Sequence, residues 1–294
     1  MSYRELFLST EPSITNPPDV ADPAVSVFGV PYDVTTSYRP GCRFGPNALR
    51  DAFWKIEVYD PLLDMDGEKV PVRDLGNLHP MPSPEEMTEA VRKITAELLE
   101  EGATPALLGG EHSLTYGSFR AMPEDVDLLI FDAHFDLRDE LYGWKLSHGT
   151  FLRRLSERYG TKRFIHVGGR AASKDEWAMA EGMKSIFSRD MVSPGYVDGF
   201  RGLLKGVERL YVSVDLDVMD PAYAPGVGTP EPGGISSAAL LQMLRELRGK
   251  ELVGFDIVEL DPAYDHSGIT AIAAASVFST LAGLVGAAKS SRGS

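Results

Sequence analysis

Two short clusters of acidic residues each follow an apolar run that favours a β-strand. One cluster contains Asp132, His134 and Asp136, and the other contains Asp215 and Asp217. In a β-strand, residues i and i+2 point to the same face, so each cluster can present its side chains together. Carboxylates held that close repel one another strongly unless a cation lies between them. The two clusters therefore predict a shared site for more than one metal ion.

A third apolar run ends in glycines and a histidine, as LLGGEHS at 107–113. It completes a set of two histidines and four aspartates: His112, Asp132, His134, Asp136, Asp215 and Asp217. Six ligands, of which two can bridge, suffice for a binuclear site. Taken singly, Asp132 or Asp215 could instead be a helix cap or a turn residue. Applied to all of them, that interpretation would leave several buried acids unpaired, which is costly.

Strand-like and helix-like segments alternate along the chain. Strands are predicted at 25–31, 71–75, 105–108, 127–132, 163–168, 184–187, 209–215 and 251–258. Helices are predicted at 46–57, 84–101, 114–121, 149–159, 174–183, 194–206, 237–248 and 269–288. Such alternation indicates βαβ units, and hence a parallel sheet with helices on both faces. Ligands of such sheets bind beyond the carboxyl ends of the strands, where the candidate ligands and Glu259 fall.

Several segments resemble the signature segments of the ureohydrolases, the arginase and agmatinase family. They are GGEHS at 109–113, DAHFD at 132–136, SHGT at 147–150 and SVDLDVMDPAYAPGVGTPEPGG at 213–234. Their order and spacing agree from about residue 26 to the C-terminus. The segments GVPYD at 29–33 and VELDPAYD at 258–265 are closer to agmatinases than to arginases. The resemblance implies an α/β fold of the arginase type, a three-layer α/β/α sandwich with a mostly parallel eight-stranded sheet.

The resemblance also implies a role for each candidate ligand. His112 and Asp136 match ligands of the first metal alone. His134 and Asp217 match ligands of the second metal alone. Asp132 and Asp215 match the carboxylates that bridge the two metals. The family usually uses manganese, and a donor set dominated by carboxylates suits Mn²⁺. Two Mn²⁺ ions per subunit are therefore expected, although Zn²⁺ or Ni²⁺ could bind more tightly because intrinsic affinity favours them.

Two further residues match catalytic groups of the family. His148 matches a histidine that shuttles protons, which an imidazole can do near neutral pH. The alternative is that it only begins the helix that follows. Glu259 matches a glutamate that binds the guanidinium group, since a carboxylate can accept two parallel hydrogen bonds from it. Its alternative is a surface acid at the end of a strand. The implied reaction is hydrolysis of a guanidino compound to urea and a primary amine.

Agmatine is the expected substrate, and its products would be putrescine and urea, in polyamine biosynthesis. The loop before His148 carries Asp139 and Glu140, which should attract a terminal ammonium and repel a carboxylate. Arg138 and Lys145 could offset that effect. Aminopropylagmatine, guanidinobutyrate and arginine are the alternative substrates. A two-metal amide or phosphoester hydrolase, and a non-enzymatic metal-binding or regulatory subunit, are the alternative functions.

Length and composition predict one ureohydrolase domain over residues 1–294. The 294 residues are 43% hydrophobic, which allows a sizeable core, and no linker divides them. Residues 1–24 hold several prolines and little periodicity, which predicts an extended N-terminal arm. The net charge of −14 argues against nucleic acid as a partner and is compatible with a small cationic substrate.

Location and assembly follow from weaker signals. A single cysteine, Cys42, excludes an internal disulfide and suits a reducing, cytoplasmic location. Neither a signal peptide nor a membrane contact is predicted, and 269–288 is interpreted as a buried helix. The family resemblance implies a homo-oligomer, a trimer or a hexamer. Of the other polar residues in strands, His166 is predicted to be a core residue and Asp256 has no predicted role.

Overall fold

The computed structural model of the protein describes residues 2–9, 13–14, 20, 22–193 and 195–292. Its strands are β1 (Leu8–Ser9), β2 (Val25–Val30), β3 (Tyr59–Asp60), β4 (Met65–Asp66), β5 (Val72–Leu78), β6 (Thr104–Gly109), β7 (Asp127–Phe131), β8 (Phe164–Gly169), β9 (Lys184–Phe187), β10 (Arg209–Asp215) and β11 (Glu251–Val258). Its helices are α1 (Tyr3–Phe7), α2 (Gly45–Phe53), α3 (Pro84–Glu100), α4 (Leu114–Phe119), α5 (Phe151–Tyr159), α6 (Lys174–Ala180), α7 (Tyr196–Leu203), α8 (Ser237–Arg245) and α9 (Ile269–Arg292).

Nine of these strands form one sheet in the order β1-β5-β2-β6-β11-β10-β7-β8-β9. The eight strands from β5 to β9 in this order pair in parallel, as predicted. The two-residue strand β1 adds an antiparallel ninth strand at the edge, which was not predicted. Strands β3 and β4 pair separately as a short antiparallel ribbon.

The sheet is buried on both faces. In β7, Leu129 and Phe131 pack into a core on one face, while Leu128 and Ile130 pack into a core on the other. Parallel strands covered by helices on both faces have continuous apolar sequences, which explains why polar and apolar residues do not alternate along these strands. The arrangement is the expected three-layer α/β/α sandwich.

Helix α9 lies in one of these cores. Its segment Ile269–Ser290 is long and apolar enough to cross a membrane by length and composition alone, but 72% of its most apolar window is buried inside the protein. Residues such as Phe278 and Leu281 pack against the sheet core. The helix is therefore the buried core helix that the sequence predicted.

Part of the predicted N-terminal arm is helical. Helix α1 packs near α3, where Arg4 pairs with Glu97 at 3.1 Å and with Glu101. Tyr3 and Phe7, one helical turn apart, stack with ring centroids 6.1 Å apart. These contacts stabilise a helical turn where prolines and weak periodicity predicted none. The rest of the predicted arm, residues 1, 10–12, 15–19 and 21, lies outside the described residues.

The central strands bring the signature segments to one edge of the sheet. Strands β6, β11, β10 and β7 are consecutive neighbours. Val214 pairs with Phe131, and Asp215 pairs with Val258, so the carboxyl ends of three strands are level. The residues that follow these strands must therefore meet, as expected for a ligand site of a parallel sheet.

Candidate metal centre and substrate pocket

The first group of candidate ligands surrounds His112. Its Nδ1 lies 3.0 Å from Oδ2 of Asp132, 3.2 Å from Oδ2 of Asp215 and 3.5 Å from Oδ2 of Asp136. This nitrogen is buried and makes no well-directed hydrogen bond within the described chain. A ring nitrogen facing three carboxylate oxygens is a donor set that fits a divalent cation.

The second group surrounds His134. Its Nδ1 lies 2.9 Å from Oδ2 of Asp217 and 3.6 Å from Oδ1 of Asp132. Asp132 therefore directs one oxygen to each group, as the predicted bridging role requires. Asp215 reaches the first group through Oδ2, while its Oδ1 accepts a hydrogen bond from the Asp217 backbone N–H at 2.8 Å. The six predicted ligands thus converge, and they form two groups that could each hold a metal ion.

Turns, and not pleated strands, bring each cluster together. Strand β7 ends at Phe131, before Asp132, and the backbone N–H of His134 donates to Oδ1 of Asp132 at 2.6 Å. Asp217 lies in a single 3₁₀ turn after β10. The expectation that alternation along a strand aligns these side chains was therefore wrong in its mechanism, although the convergence it predicted is present.

Two candidate site residues have a strained backbone. Asp136 has φ = 51° and Glu259 has φ = 64°, both in the left-handed region. Each such non-glycine residue costs on the order of 1–3 kcal/mol and persists only where its surroundings enforce it. The direction of these two carboxylates into the site therefore lowers the stability of the fold.

Two of the acidic candidate ligands, Asp136 and Asp215, have raised pKa values and resist ionisation. Burial raises the pKa of Asp136 and of Asp215, and neighbouring carboxylates raise both further. Burial lowers the pKa of His112, but its carboxylate neighbours outweigh that effect and raise it to about 9. Bound cations would reverse both tendencies, because positive charge favours the carboxylate form.

A cavity of about 340 Å³ opens beside the two groups. Besides candidate ligands, its lining includes polar side chains on several elements: Ser37, Arg138, His148, Glu176, Glu231 and Glu259. Burial, with the charge of Glu111 next, raises the pKa of Glu259 to about 8. Its Oε1 accepts a hydrogen bond from the backbone N–H of His112 at 2.9 Å. Among the described residues, Glu259 forms no ion pair.

His148 lies on the wall of this cavity, three residues before α5 begins. Its Nε2 is 3.1 Å from Oγ of Ser37, and its Nδ1 is 3.3 Å from Oγ1 of Thr35. Burial, together with the charges of His134 and His112, lowers the pKa of His148 to about 4. The ring is therefore neutral at pH 7, with a lone pair on one of its two nitrogens.

Sequence reasoning missed the residues that hold His148. The Thr35 hydroxyl donates to Oε1 of Glu111 at 2.6 Å, and the Thr35 backbone N–H donates to Oε2 at 2.7 Å. The same hydroxyl accepts from the backbone N–H of His148 at 3.1 Å. The loop that carries Thr35 and Ser37 follows the GVPYD segment, for which the sequence indicated a family resemblance but no role in the site.

Two further residues hold the candidate ligands from behind. His166 is buried, as predicted, and its Nε2 lies 2.7 Å from the backbone oxygen of His134. Arg170 donates to the backbone oxygens of Asp217 at 2.6 Å and of Glu231 at 2.9 Å. Gly234 leaves room for this clamp, since a Cβ there would lie 2.7 Å from the Arg170 guanidinium.

The loop before His148 does not place its acids as expected. Asp139 is exposed and pairs with Nζ of Lys145 at 2.6 Å and with Arg154 at 2.8 Å. Glu140 lies 3.6 Å from the same Lys145 amine. Neither acid lines the cavity. Apart from the candidate ligands and Glu259, the acids that line it are Glu176 and Glu231.

Comparison with known proteins agrees with this geometry. The sequence model of the arginase family matches residues 23–283. The chain belongs to the arginase family. It is 36% identical to an agmatinase of Bacillus anthracis over 272 residues, 89% of this chain and 91% of that protein. It is 35% identical to the mitochondrial guanidino acid hydrolase of Homo sapiens over 85% of this chain and 75% of that protein.

A solved structure shows the same architecture. The agmatine ureohydrolase of Thermoplasma volcanium superposes with a TM-score of 0.85 at 35% identity, covering 90% of both chains. The fold is therefore arginase-like, and the protein is a ureohydrolase, as its signature segments indicated. The alternative of a non-enzymatic metal-binding subunit is set aside.

Proposed function

We propose that the protein hydrolyses agmatine to putrescine and urea with two Mn²⁺ ions. The observation that carries the proposal is the buried carboxylate of Glu259 in a cavity beside the two candidate metal groups. A buried carboxylate without a cationic partner favours a ligand that brings the positive charge. A guanidinium does so and matches the carboxylate with two parallel hydrogen bonds.

The residues around the cavity can carry out the reaction. Divalent cations held by the two groups supply Lewis acidity, which makes a water molecule nucleophilic near neutral pH. Glu259 would bind the guanidinium and hold its carbon beside the two groups of candidate ligands. The tetrahedral intermediate expels the amine only if the leaving nitrogen is protonated. His148, neutral and held by Thr35, is placed to carry that proton.

Manganese is proposed from the donor set. Four of the six candidate ligands are carboxylates, and oxygen-rich sites suit Mn²⁺ better than thiolate or all-histidine sites do. Dialysed protein should regain urea formation with Mn²⁺ added alone. Activity with Zn²⁺ or Ni²⁺ that exceeds the Mn²⁺ value under matched saturation would contradict this part of the proposal.

The acidic lining of the cavity supports a cationic substrate. Glu231 is about half-exposed, and its Oε1 lies 3.7 Å from Nε2 of His134. Glu176 is buried, and its carboxylate lies 3.5 Å from Arg138. Glu231 and Glu176 carry two negative charges and Arg138 carries one positive charge, so this part of the lining is negative. It would attract the terminal ammonium of agmatine.

Arg138 favours a second candidate, hydrolysis of a guanidino acid. Its guanidinium lines the cavity, is half-exposed, and its only recorded ion pair among the described residues is the long contact with Glu176. A substrate carboxylate could displace that contact and form a bidentate pair. The human relative named above is a guanidino acid hydrolase.

A substrate panel with matched variants separates the two candidates. Urea release is measured for agmatine, aminopropylagmatine, guanidinobutyrate and arginine with wild type, Glu231→Gln and Arg138→Gln. If agmatine is the substrate, Glu231→Gln should lower kcat/KM for it about five- to tenfold, the value of one contact worth about 1 kcal/mol. Arg138→Gln should leave agmatine unaffected or improve it. Highest kcat/KM with guanidinobutyrate, lost in Arg138→Gln, would establish the second candidate instead.

The proton-transfer role of His148 has its own test. His148→Ala should lower kcat for agmatine by about 10²–10⁴-fold, the usual contribution of a general acid or base, with a much smaller change in KM. Added imidazole should restore part of the loss. Unchanged turnover in this variant would remove the role.

Assembly and location complete the proposal. We infer a single-domain homo-oligomer, a trimer or hexamer, in the cytoplasm. Support comes from the family and from the single buried cysteine, Cys42. Light scattering on purified protein tests the subunit number.

A further inference from the structure

We infer that Asp256, acting through Ser213, is a positioning residue that holds His112 for the first metal ion. Asp256 lies in β11 and Ser213 in the neighbouring strand β10, behind the site. Neither touches the cavity. The inference rests on the proposed metal site and adds to it a chain of side chains that supports one ligand.

The chain of contacts is short and fully buried. Nε2 of His112 lies 2.8 Å from Oγ of Ser213, and that hydroxyl donates to Oδ1 of Asp256 at 2.5 Å. The other carboxylate oxygen of Asp256 accepts from the hydroxyls of Tyr211 at 2.6 Å and of Thr115 at 2.9 Å. All five side chains are buried.

The direction of these hydrogen bonds fixes the state of the imidazole. An ionised carboxylate only accepts hydrogen bonds, so Ser213 donates its one hydroxyl hydrogen to Asp256. The Ser213 oxygen must then accept, which requires a proton on Nε2 of His112. In a neutral ring the proton on Nε2 leaves a lone pair on Nδ1, the atom that faces three carboxylate oxygens.

In many metal sites a carboxylate accepts a hydrogen bond from the second ring nitrogen of a metal-bound histidine. Here a serine hydroxyl lies between the histidine and the carboxylate. Such partners fix the tautomer and ring orientation, and their loss typically weakens metal binding about 10- to 100-fold. No other function for Asp256 is visible. Among the described residues it has no cationic partner, although a buried carboxylate costs several kcal/mol unless its contacts compensate.

Metal binding by the purified protein tests the inference directly. Metal-free wild type, Ser213→Ala and Asp256→Asn are titrated with Mn²⁺ against a competing chelator, and bound metal is counted after dialysis. We expect two ions in wild type. In each variant one ion should bind about 10- to 100-fold more weakly, while the ion of the His134 group keeps its affinity.

A double-mutant cycle shows whether Asp256 acts through the serine. If it does, Asp256→Asn should change the metal dissociation constant less than threefold once Ser213 is already alanine. Ser26→Ala is the control, since Ser26 is equally buried in β2 of the same sheet and its hydroxyl accepts a hydrogen bond from Arg73 at 3.1 Å. It should leave both metal affinities unchanged.

The outcomes distinguish this inference from the proposed function. Wild type that binds no divalent metal would overturn both. Wild type that binds two ions, with Ser213→Ala binding them equally well, would overturn only the positioning role. Full additivity in the cycle would also overturn it, because Asp256 would then act by another route. If Asp256→Asn fails to fold, Ser213→Ala, which removes one hydroxyl, decides alone.

Discussion

At the residue scale, Glu259 is the buried carboxylate that we propose as the binding group for the guanidinium. It has a backbone in the left-handed region, a raised pKa and a single backbone hydrogen bond from His112. These features together cost stability, and a bound guanidinium would offset part of that cost by supplying the missing charge. The residue is therefore better explained by binding than by folding.

Glu259→Gln is expected to lower kcat/KM for the preferred substrate by about 30-fold or more. The amide keeps the shape but loses a charge-assisted pair worth about 2 kcal/mol or more when desolvated. The content of bound metal should stay at the wild-type value. Glu251→Gln, at the other end of the same strand, is the control. A loss of metal that accompanies the loss of activity would assign Glu259 to the metal groups instead.

The role of Thr35 in holding His148 can be tested by removing its hydroxyl group. Thr35→Val removes the hydroxyl that joins His148 to Glu111 and should lower kcat about tenfold with little change in KM, since substrate binding does not involve it. Thr35→Ser should retain most activity. Thr36→Val is the matched control, because the neighbouring Thr36 hydroxyl is buried and has no recorded partner in the described chain. Equal effects of Thr35→Val and Thr36→Val would contradict the role.

At the element scale, the segment after β10 is held by one side chain. Arg170, just after β8, donates to the backbone oxygens of Asp217, Val218, Met219 and Glu231. Asp217 and Val218 lie in the 3₁₀ turn after β10, and Glu231 lies in the glycine- and proline-rich loop that follows it. The guanidinium therefore joins that loop to the turn that carries a candidate ligand.

Arg170→Met should destabilise the protein and also weaken metal binding at the His134 group. Losing several buried hydrogen bonds costs on the order of 3 kcal/mol, which lowers Tm by about 6–12 °C in a chain of this size. Arg163→Met is the matched control. Arg163 also donates to two backbone oxygens, of Pro123 and Val126, but at the opposite end of the sheet. It should lower Tm without changing metal affinity, and a similar loss of metal there would contradict the local role of Arg170.

At the scale of the whole molecule, metal binding and stability should be coupled through pH. In the absence of metal, Glu259 has a pKa of about 8 and His112 a pKa of about 9, both above their ordinary values. A group whose pKa is raised by folding contributes stability that is present below the unfolded-state pKa and is lost as pH rises through the folded-state pKa. The stability of the metal-free protein therefore falls between about pH 4.5 and 8 through Glu259, and between about pH 6.5 and 9 through His112.

Metal should remove that dependence. Ligand groups must be deprotonated to bind a cation, so added metal raises Tm more at pH 9 than at pH 6.5. Calorimetry of chelator-treated and Mn²⁺-saturated protein at both pH values measures the effect. The metal-free Tm should be higher at pH 6.5 by a few degrees, about 2–4 °C for each kcal/mol. A metal-free protein that is more stable at pH 9 would contradict the coupling.

The sequence by itself determined the architecture and predicted which residues meet at the candidate site. Continuous apolar runs and their alternation with helical segments placed eight parallel strands, with most ends within three residues of those observed. These signals are local, because a strand buried on both faces must be apolar throughout. The signature segments likewise identified the six candidate ligands, His148 and Glu259, which the fold brings together.

Tertiary structure decided what lies between distant segments. The support of His148 by Thr35 joins residues 113 positions apart, and the chain from His112 to Asp256 crosses three strands. No local pattern encodes such contacts, because they depend on strand order and register. The outward position of Asp139 could not be predicted for the same kind of reason, because its ion pairs with Lys145 and Arg154 depend on the folded path of the loop.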